Sequence, residues 1–374
     1  MKVAIYHPFT SLPDNYSLSH VVKEQMLMLT EHGIETHFVT STGFEDKVPD
    51  HVEIHPVLPY NNSKAIRKVA EPILKNMNKI LTHDIVYLEA YHDHVEALRD
   101  ISGNYIHWSH SAPGQNVMGA SLPGLYVCMN YTDLPLLAKQ FNIPESQCRV
   151  VYNPVSPDNY FGWHPFTSEL VKKHDLLDCD VLVTYPLDTG RFQSKGGFKV
   201  IKLLDKIRKK GSKAKVVFVN AAANTKERTT FVKALTNENV IFTSLENDKY
   251  IVSVPRQVVR ELFQISNLFP LLSDSEGCSL VLLEAALAKN LVVLNEDFPP
   301  LREFGEIDHT LYMKVSSTRC TTNYNPNEDQ YYDDYANIII NTLNQDKANK
   351  FNRKVLRQFN RDWIWDHQLQ PLLT

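Results

Sequence analysis

Four charged residues in the second half of this 374-residue chain have types and spacings suited to a ligand with a polyphosphate in the middle and hydroxyl groups at both ends. Glu276 and Glu284 open and close the segment EGCSLVLLE. The apolar run LFPLL before it predicts a buried strand that ends in the polar loop SDSEGCS, and a helix is expected over Ser279 to Ala288. The start of a helix offers unpaired N–H groups and the positive end of its dipole, a seat for phosphate. Glu276 then falls in the loop and Glu284 about a turn and a half inside the helix. One carboxylate can hold the sugar end of a donor and the other a ribose diol, through charge-assisted hydrogen bonds. Upstream, TGRFQSKGG (189–197) places Arg191 and Lys195 on a short loop that enters another helix. Two cations there can neutralise a diphosphate and stabilise it as a leaving group.

Each residue also has a bland reading. Two glutamates eight apart are common and could be solvated helix-end acids, and Arg191 and Lys195 could be surface cations. Glu284, however, lies in the apolar stretch VLLEAALA, where a charge on a buried face needs a partner or a ligand. Cations near a helix start oppose the helix dipole, so an anion nearby accounts for them better.

Elements that position these residues can be read as two similar halves. The first half shows strand-like VAIY, a helical pattern over 17–33 with a glycine stop, strand-like IETHFVT, a helix through 63–82, and strands DIVYLE and YIHWS. The second shows strands DVLVTYP, KVVFVN, VIFTSL, LFPLL and LVVL, with helices at Gly196–Lys209, Lys226–Leu235, Arg256–Ile265 and Ser279–Ala288 between them. Strands alternating with helices imply an α/β fold of two parallel, Rossmann-like sheets. Domains are expected at 1–155 and 156–357, divided in the proline-bearing stretch 152–165. The C-terminal segment from about 358 to 374, with two tryptophans, could pack back on the first domain. Ligand sites belong at the carboxyl ends of both sheets, and so in a central cleft.

Apolar residues make up 43% of the chain and charged residues 22%, as expected of a globular protein with a good core. A formal net charge of −4 gives no global attraction to nucleic acid or an anionic membrane. Five scattered cysteines without a CxxC pair suggest neither a disulfide framework nor a cysteine zinc site. The N-terminus reads as a strand and no apolar run approaches the ~18 residues of a membrane span, so a cytoplasmic protein, at most peripheral to a membrane, is expected.

On these motifs the chain resembles the GT-B-fold retaining glycosyltransferases of family four, the glycosyl transferases group 1. Glu276 and Glu284 match the family's E-x7-E motif, and Arg191 and Lys195 its diphosphate clamp. VVYNPVSPDNY, with Asn153, matches the turn at the domain junction, and His110 in YIHWSHSAP matches the histidine after a first-domain strand. The chain departs from the family in a first loop without glycine, in the Arg–Lys spacing of four, and in Cys278-Ser279 after Glu276-Gly277. The resemblance implies an N-terminal acceptor-binding and a C-terminal donor-binding domain. It also implies retaining, metal-independent transfer from a nucleotide-diphosphate sugar, such as a UDP sugar, to an acceptor hydroxyl. No cofactor beyond that co-substrate is implied. His110 and Glu276 would be catalytic, Glu284 would bind ribose, Asn153 would line the cleft, and backbone N–H groups of Ser279 and Leu280 would join Arg191 and Lys195 on the diphosphate. Rival readings are a GT-B-fold epimerase or phosphorylase, and a two-domain sugar-binding protein.

Three further features bear on partners. At ~100° per residue, Lys64, Lys68, Lys75 and Lys79 share one helical face with Arg67 beside them. This is either a solvated face or a site for an anionic acceptor: a glycolipid, a lipid-linked sugar, a polysaccharide precursor or modified DNA. His92, His94, His107 and His110 cluster in sequence without the carboxylates or cysteines that would complete a zinc site, so no metal is expected. Asp178-Cys179-Asp180 precedes a strand, on the wrong side of a sheet for a cleft, and Ser316–Asp334 reads as a polar loop.

Overall fold

The computed structural model describes all residues except 14–16, 111–121, 155–156, 275–278, 297–300, 302–309, 314 and 316–327. It divides into two compact units, Met1–Ser156 with Gln358–Thr374, and Pro157–Arg357.

In the first unit, strands β1 (Lys2–Tyr6), β2 (Glu35–Ser41), β3 (Val52–Leu58), β4 (Lys79–His83), β5 (Tyr105–Trp108), β6 (Leu125–Cys128) and β7 (Cys148–Val150) form one sheet in the order β3-β2-β1-β4-β5-β6-β7. Its pairs are parallel, with Val3 opposite both Thr36 and Lys79. Helix α1 (Ser17–Glu31) and the C-terminal segment cover one face. Helices α2 (Ser63–Leu74), α3 (His92–Arg99) and α4 (Leu134–Phe141) cover the other. Side chains alternate along each strand, so Val3 and Ile5 enter the first layer while Ala4 and Tyr6 enter the second. Parallel strands covered on both faces read as nearly continuous apolar runs, as VAIY does. The C-terminal segment is held by Ile364, Trp365 and Leu369 in that core, by Gln368 accepting from the Tyr152 N–H (2.8 Å), and by Arg361 paired with Glu31 at 3.1 Å.

The second unit holds α5 (Pro157–Phe161), α6 (Pro165–Lys173), β8 (Val181–Pro186), α7 (Gly197–Lys209), β9 (Ala214–Val219), α8 (Lys226–Leu235), β10 (Val240–Phe242), α9 (Arg256–Ile265), β11 (Leu268–Leu271), α10 (Leu280–Leu287), β12 (Leu291–Asn295), β13 (Leu311–Met313), α11 (Glu328–Gln345) and α12 (Lys347–Gln358), the last ending across the unit boundary. Its sheet order is β10-β9-β8-β11-β12-β13. Counted from the first strand of each unit, the second sheet runs 3-2-1-4-5-6, the Rossmann order, and the first runs the same with a seventh strand added at its end. Each therefore has a switch point, at β1/β4 and at β8/β11.

Three sequence expectations are corrected. The helix expected over 63–82 stops at Leu74, where the Asn76 side chain caps the Pro72 carbonyl (2.8 Å), and KILTH forms β4 between β1 and β5. A short apolar run fits a buried strand as well as a helix, and the 3.6-residue count misled here. DIVYLE is not a strand. Asp84 adopts φ 55°, Tyr87 and Leu88 donate back to its carbonyl, and Ile85, Val86 and Tyr87 are buried as a turn. The expected loop over 316–334 holds the start of α11 from Glu328, while its earlier residues lie outside the described ones.

Candidate active site

In the second unit the two charged loops leave the carboxyl ends of neighbouring strands, on either side of the β8/β11 switch. Pro186 ends β8, and the Thr189 hydroxyl, donating to the Ala222 carbonyl (2.7 Å), starts a tight turn. Phe192 is buried among Phe198, Phe218, Phe231 and Phe242, which pins the loop between its two cations. The Lys195 N–H donates to the Arg191 carbonyl (2.9 Å). That i+4 bond stacks the two residues one turn apart on one side of the loop. Arg191 is exposed and Lys195 half-buried. The Lys195 carbonyl accepts from the hydroxyl of buried Tyr185 at 2.5 Å.

The loop after β11 is bonded to this turn. The Asp274 N–H and the Ser273 hydroxyl both donate to the Ser194 carbonyl, at 2.8 and 3.2 Å. Gly196, with φ 79°, lies so close to Leu272 that a Cβ would stand 2.4 Å from the Leu272 carbonyl oxygen. Buried Asp274 forms an ion pair with Lys199 of α7 (2.8 Å) and accepts from Asn295 Nδ2 (3.2 Å). Removing one partner of such a pair strands a buried charge, at a cost of about 3–5 kcal/mol. β11 pairs with β12 from Leu268 to Leu271 but with β8 at Leu268 opposite Val183. Pro270 has no N–H to continue a ladder, which fits the short pairing. Asp274, Lys199, Gly196 and Tyr185 are the positioning residues that sequence reasoning missed. The only signals were an acid in SDSEGCS and a paired glycine in SKGG.

Ser279 caps α10, its hydroxyl accepting from the Leu282 N–H (3.4 Å) and its carbonyl from Leu282 and Leu283. The N–H groups of Leu280 and Val281 then face outward from the helix start, without intrahelical partners. Glu284 is one-quarter exposed, and its Oε1 accepts from Arg256 at the start of α9 (2.6 Å). The partner demanded by its apolar surroundings is thus a protein cation. The helix itself departs from a buried one: Leu282 and Ala285 are buried, whereas Leu280, Leu283 and Leu287 are exposed. Glu276 lies outside the described residues.

His110 and Asn153 belong to the first unit. Asn153 is exposed in the chain after β7. His110 follows β5, and its backbone N–H donates to the Asp84 carboxylate (2.8 Å) while Nε2 lies 2.9 Å from Nδ1 of His83. His7, just after β1, completes a group at the β1/β4 switch, stacked on Phe9 at 3.7 Å and edge-on to Tyr91. Both ring nitrogens of His7 and Nε2 of His83 are buried without a hydrogen-bond partner among the described residues. Burial pushes His7 down to about 3 and His110 to about 4, and holds His83 well below its ordinary value. Burial also raises Asp84 to about 6. The three imidazoles are therefore neutral near pH 7, each able to donate and accept a hydrogen bond. His7 and His83 were missed in the sequence because nothing local marks the end of one strand as adjacent to another.

The remaining expected residues separate. Lys79 is not on the helical face; it begins β4, and its Nζ donates to the Leu372 carbonyl (3.2 Å). Lys75 pairs with Glu71 at 2.6 Å, and Arg67 with Glu71 and Asp100, so much of the basic face is neutralised, with Lys64 and Lys68 exposed beside it. His94 bonds Tyr6 (2.7 Å) and His107 bonds Thr82 (2.8 Å), both in the core. Asp178 and Asp180, before β8, pair with Arg357, and Asp178 also with Lys213. No helix among the described residues is long and apolar enough to cross a membrane.

Residues 187–306 match the family model described as "Glycosyl transferases group 1". No curated protein matches the chain by sequence. Similar solved structures include HepE from Anabaena in complex with UDP-glucose, at 14% identity and TM-score 0.38, covering 100% of this chain and 99% of that one. Sucrose-phosphate synthase from Thermosynechococcus elongatus is similar at 12% identity and TM-score 0.40, with 99% and 98% covered. An alpha-glucosyltransferase in complex with UDP-glucose and abasic DNA is similar at 11% identity and TM-score 0.35, with both chains fully covered. The family match spans the cation loop and α10, so this stretch of the second unit is similar to the glycosyl transferases group 1.

Proposed function

We propose that the chain transfers a sugar, with retention of anomeric configuration, from a nucleotide-diphosphate sugar to an acceptor hydroxyl. The observation that carries this reading is the hydrogen-bonded junction of the Arg191–Lys195 turn with the loop leading to α10, at the carboxyl ends of β8 and β11. Cations from one loop and helix N–H groups from the other supply what a leaving diphosphate needs. In this reading Arg191, Lys195 and the N–H groups of Ser279 and Leu280 bind the diphosphate, and Glu276 orients the donor sugar. Glu284 holds the ribose at Oε2 while Arg256 keeps Oε1. No metal takes part in the transfer, because the fixed cations carry the charge. The leaving phosphate accepts the proton of the acceptor hydroxyl as the new glycosidic bond forms.

In the first unit, the neutral imidazoles of His7, His83 and His110 suit the hydroxyls of a sugar or acceptor. Lys64 and Lys68 favour an anionic group elsewhere on that acceptor, such as a lipid-linked phosphate. Activity that falls steeply with salt supports that part, and salt-insensitive activity on a neutral acceptor removes it.

Lys195→Ala and Glu276→Ala should each abolish turnover on a nucleotide-sugar panel while leaving the melting temperature nearly unchanged. Full activity in either variant refutes the site. Chelation with EDTA should leave turnover at 25 °C largely unchanged, and strict metal dependence rejects the metal-free transfer. An inverted product anomer by NMR rejects retention.

A further inference from the structure

The opposite end of the first sheet carries a cluster that the proposed transfer does not use. Strand alternation places Lys2 of β1, Glu35 and His37 of β2, and Glu53 and His55 of β3 on one sheet face, at the amino ends of the strands. The register sets His37 opposite Glu53 and Val39 opposite His55. His37 Nδ1 lies 3.0 Å from His55 Nε2 and 3.4 Å from a Glu53 oxygen, and His55 Nε2 lies 3.5 Å from the other Glu53 oxygen. Zinc bonds nitrogen and carboxylate oxygen at about 2.0–2.2 Å in a tetrahedron, whose edge is then about 3.3–3.6 Å. Each nitrogen–oxygen separation matches such an edge, though to a different Glu53 oxygen, so the carboxylate turns to set one oxygen beside both nitrogens; the nitrogen–nitrogen separation is a few tenths of an ångström shorter.

A second observation points the same way. His37 Nε2 lies 3.2 Å from Glu35 Oε1, and Glu35 is held by Lys2 Nζ at 2.6 Å. With its Nε2–H given to Glu35, His37 presents a lone pair at Nδ1. A carboxylate that orients a histidine in this way is the usual support behind a metal ligand. His37 is buried, His55 is one-fifth exposed and Glu53 mostly exposed, so an ion can enter from solvent.

We propose that His37 Nδ1, His55 Nε2 and the Glu53 carboxylate form a zinc site that staples edge strand β3 to β2, with water as the fourth ligand. On binding, His55 changes tautomer, its Nε2 hydrogen passing by way of solvent to Nδ1, so that Zn²⁺ takes both nitrogen lone pairs with both rings neutral and no change of oxidation state. Affinity therefore falls as pH falls. The staple lies at the amino ends of the strands, away from the carboxyl ends proposed for sugar transfer, so its loss lowers stability without stopping turnover.

The test uses the full chain, stripped with chelator and titrated with Zn²⁺ by calorimetry and with Co²⁺ by visible absorption. One equivalent should bind, cobalt should show intense tetrahedral bands, and zinc should raise the melting temperature. His55→Gln and Glu53→Gln should each weaken binding by well over about tenfold, and Glu35→Gln by about tenfold or more. All three should melt within ~2 °C of the parent in chelator. Absence of saturable binding in the parent chain overturns the proposal. So does parent-like affinity in both His55→Gln and Glu53→Gln, which would move the ion to a group such as His92, Asp93 and Glu96.

Discussion

Gly196→Ala tests whether the close approach of the cation turn to β11 holds the donor loops together. Two terms add at this position. A left-handed φ costs an L side chain about 1–2 kcal/mol. The new Cβ would also stand 2.4 Å from the Leu272 carbonyl oxygen and 2.7 Å from its carbon, where real Cβ contacts essentially never fall below 3.0 Å. Backbone must move, at a further ~1–3 kcal/mol. Gly211 separates the terms: its φ is 91° and a Cβ there meets nothing within 4 Å among the described residues, so Gly211→Ala bears the first term alone. At roughly 2–4 °C per kcal/mol for a unit of this size, Gly196→Ala should melt about 4–20 °C lower and Gly211→Ala about 2–8 °C lower, with Gly196→Ala the lower of the two. Calorimetry on the two purified variants measures the difference. Because the shift displaces Arg191 and Lys195, turnover of Gly196→Ala below its melting point should fall about tenfold or more, while Gly211→Ala stays near the parent. Equal melting temperatures for the two variants would refute the argument, since the close approach would then contribute nothing.

Other consequences follow from buried polar groups. Asn267→Ala removes a side chain that accepts from the Leu182 N–H (2.9 Å) and donates to the Asp180 carbonyl (2.8 Å). It should cost about 2–3 kcal/mol in urea denaturation, and a loss under ~1 kcal/mol would show those groups satisfied elsewhere. The buried histidines make the chain acid-labile. Burial holds His7 near 3 and His94, His107 and His110 near 4, all below the unfolded value of about 6.5. Their contribution is complete above that value and is lost as pH falls from about 6.5 toward 3–4. Asp84, raised to about 6, acts in the opposite sense, but it is one group against several. The melting temperature should be flat from pH 8 to 7 and fall from 7 to 5, and a rise over that interval would contradict the assignment.

Much of the second unit could be read from sequence, because its strands are continuous apolar runs and its helices are amphipathic with clear ends. Arg256–Ile265 is read to the residue, and Gly196–Lys209 to within one. The first unit was harder. KILTH and DIVYLE are both short and apolar, and nothing in their periodicity says that the first is a strand and the second a buried turn. Chain position alone distinguishes them, because KILTH must fill the space between β1 and β5.

The residue types that carry the proposed chemistry were visible in one dimension: Arg191 and Lys195 on a turn, and Glu284 on a helix beginning at Ser279. Local spacing determines which face of a turn or helix a side chain takes, so those relations needed no tertiary information. Partnerships between strands far apart in sequence did. Arg256 is 28 residues from Glu284, Ser194 is 79 from Ser273, His83 is 27 from His110, and His37 is 18 from His55. Such pairs are set by strand order and register, which the whole sheet decides through burial of both faces, and no window of sequence contains them.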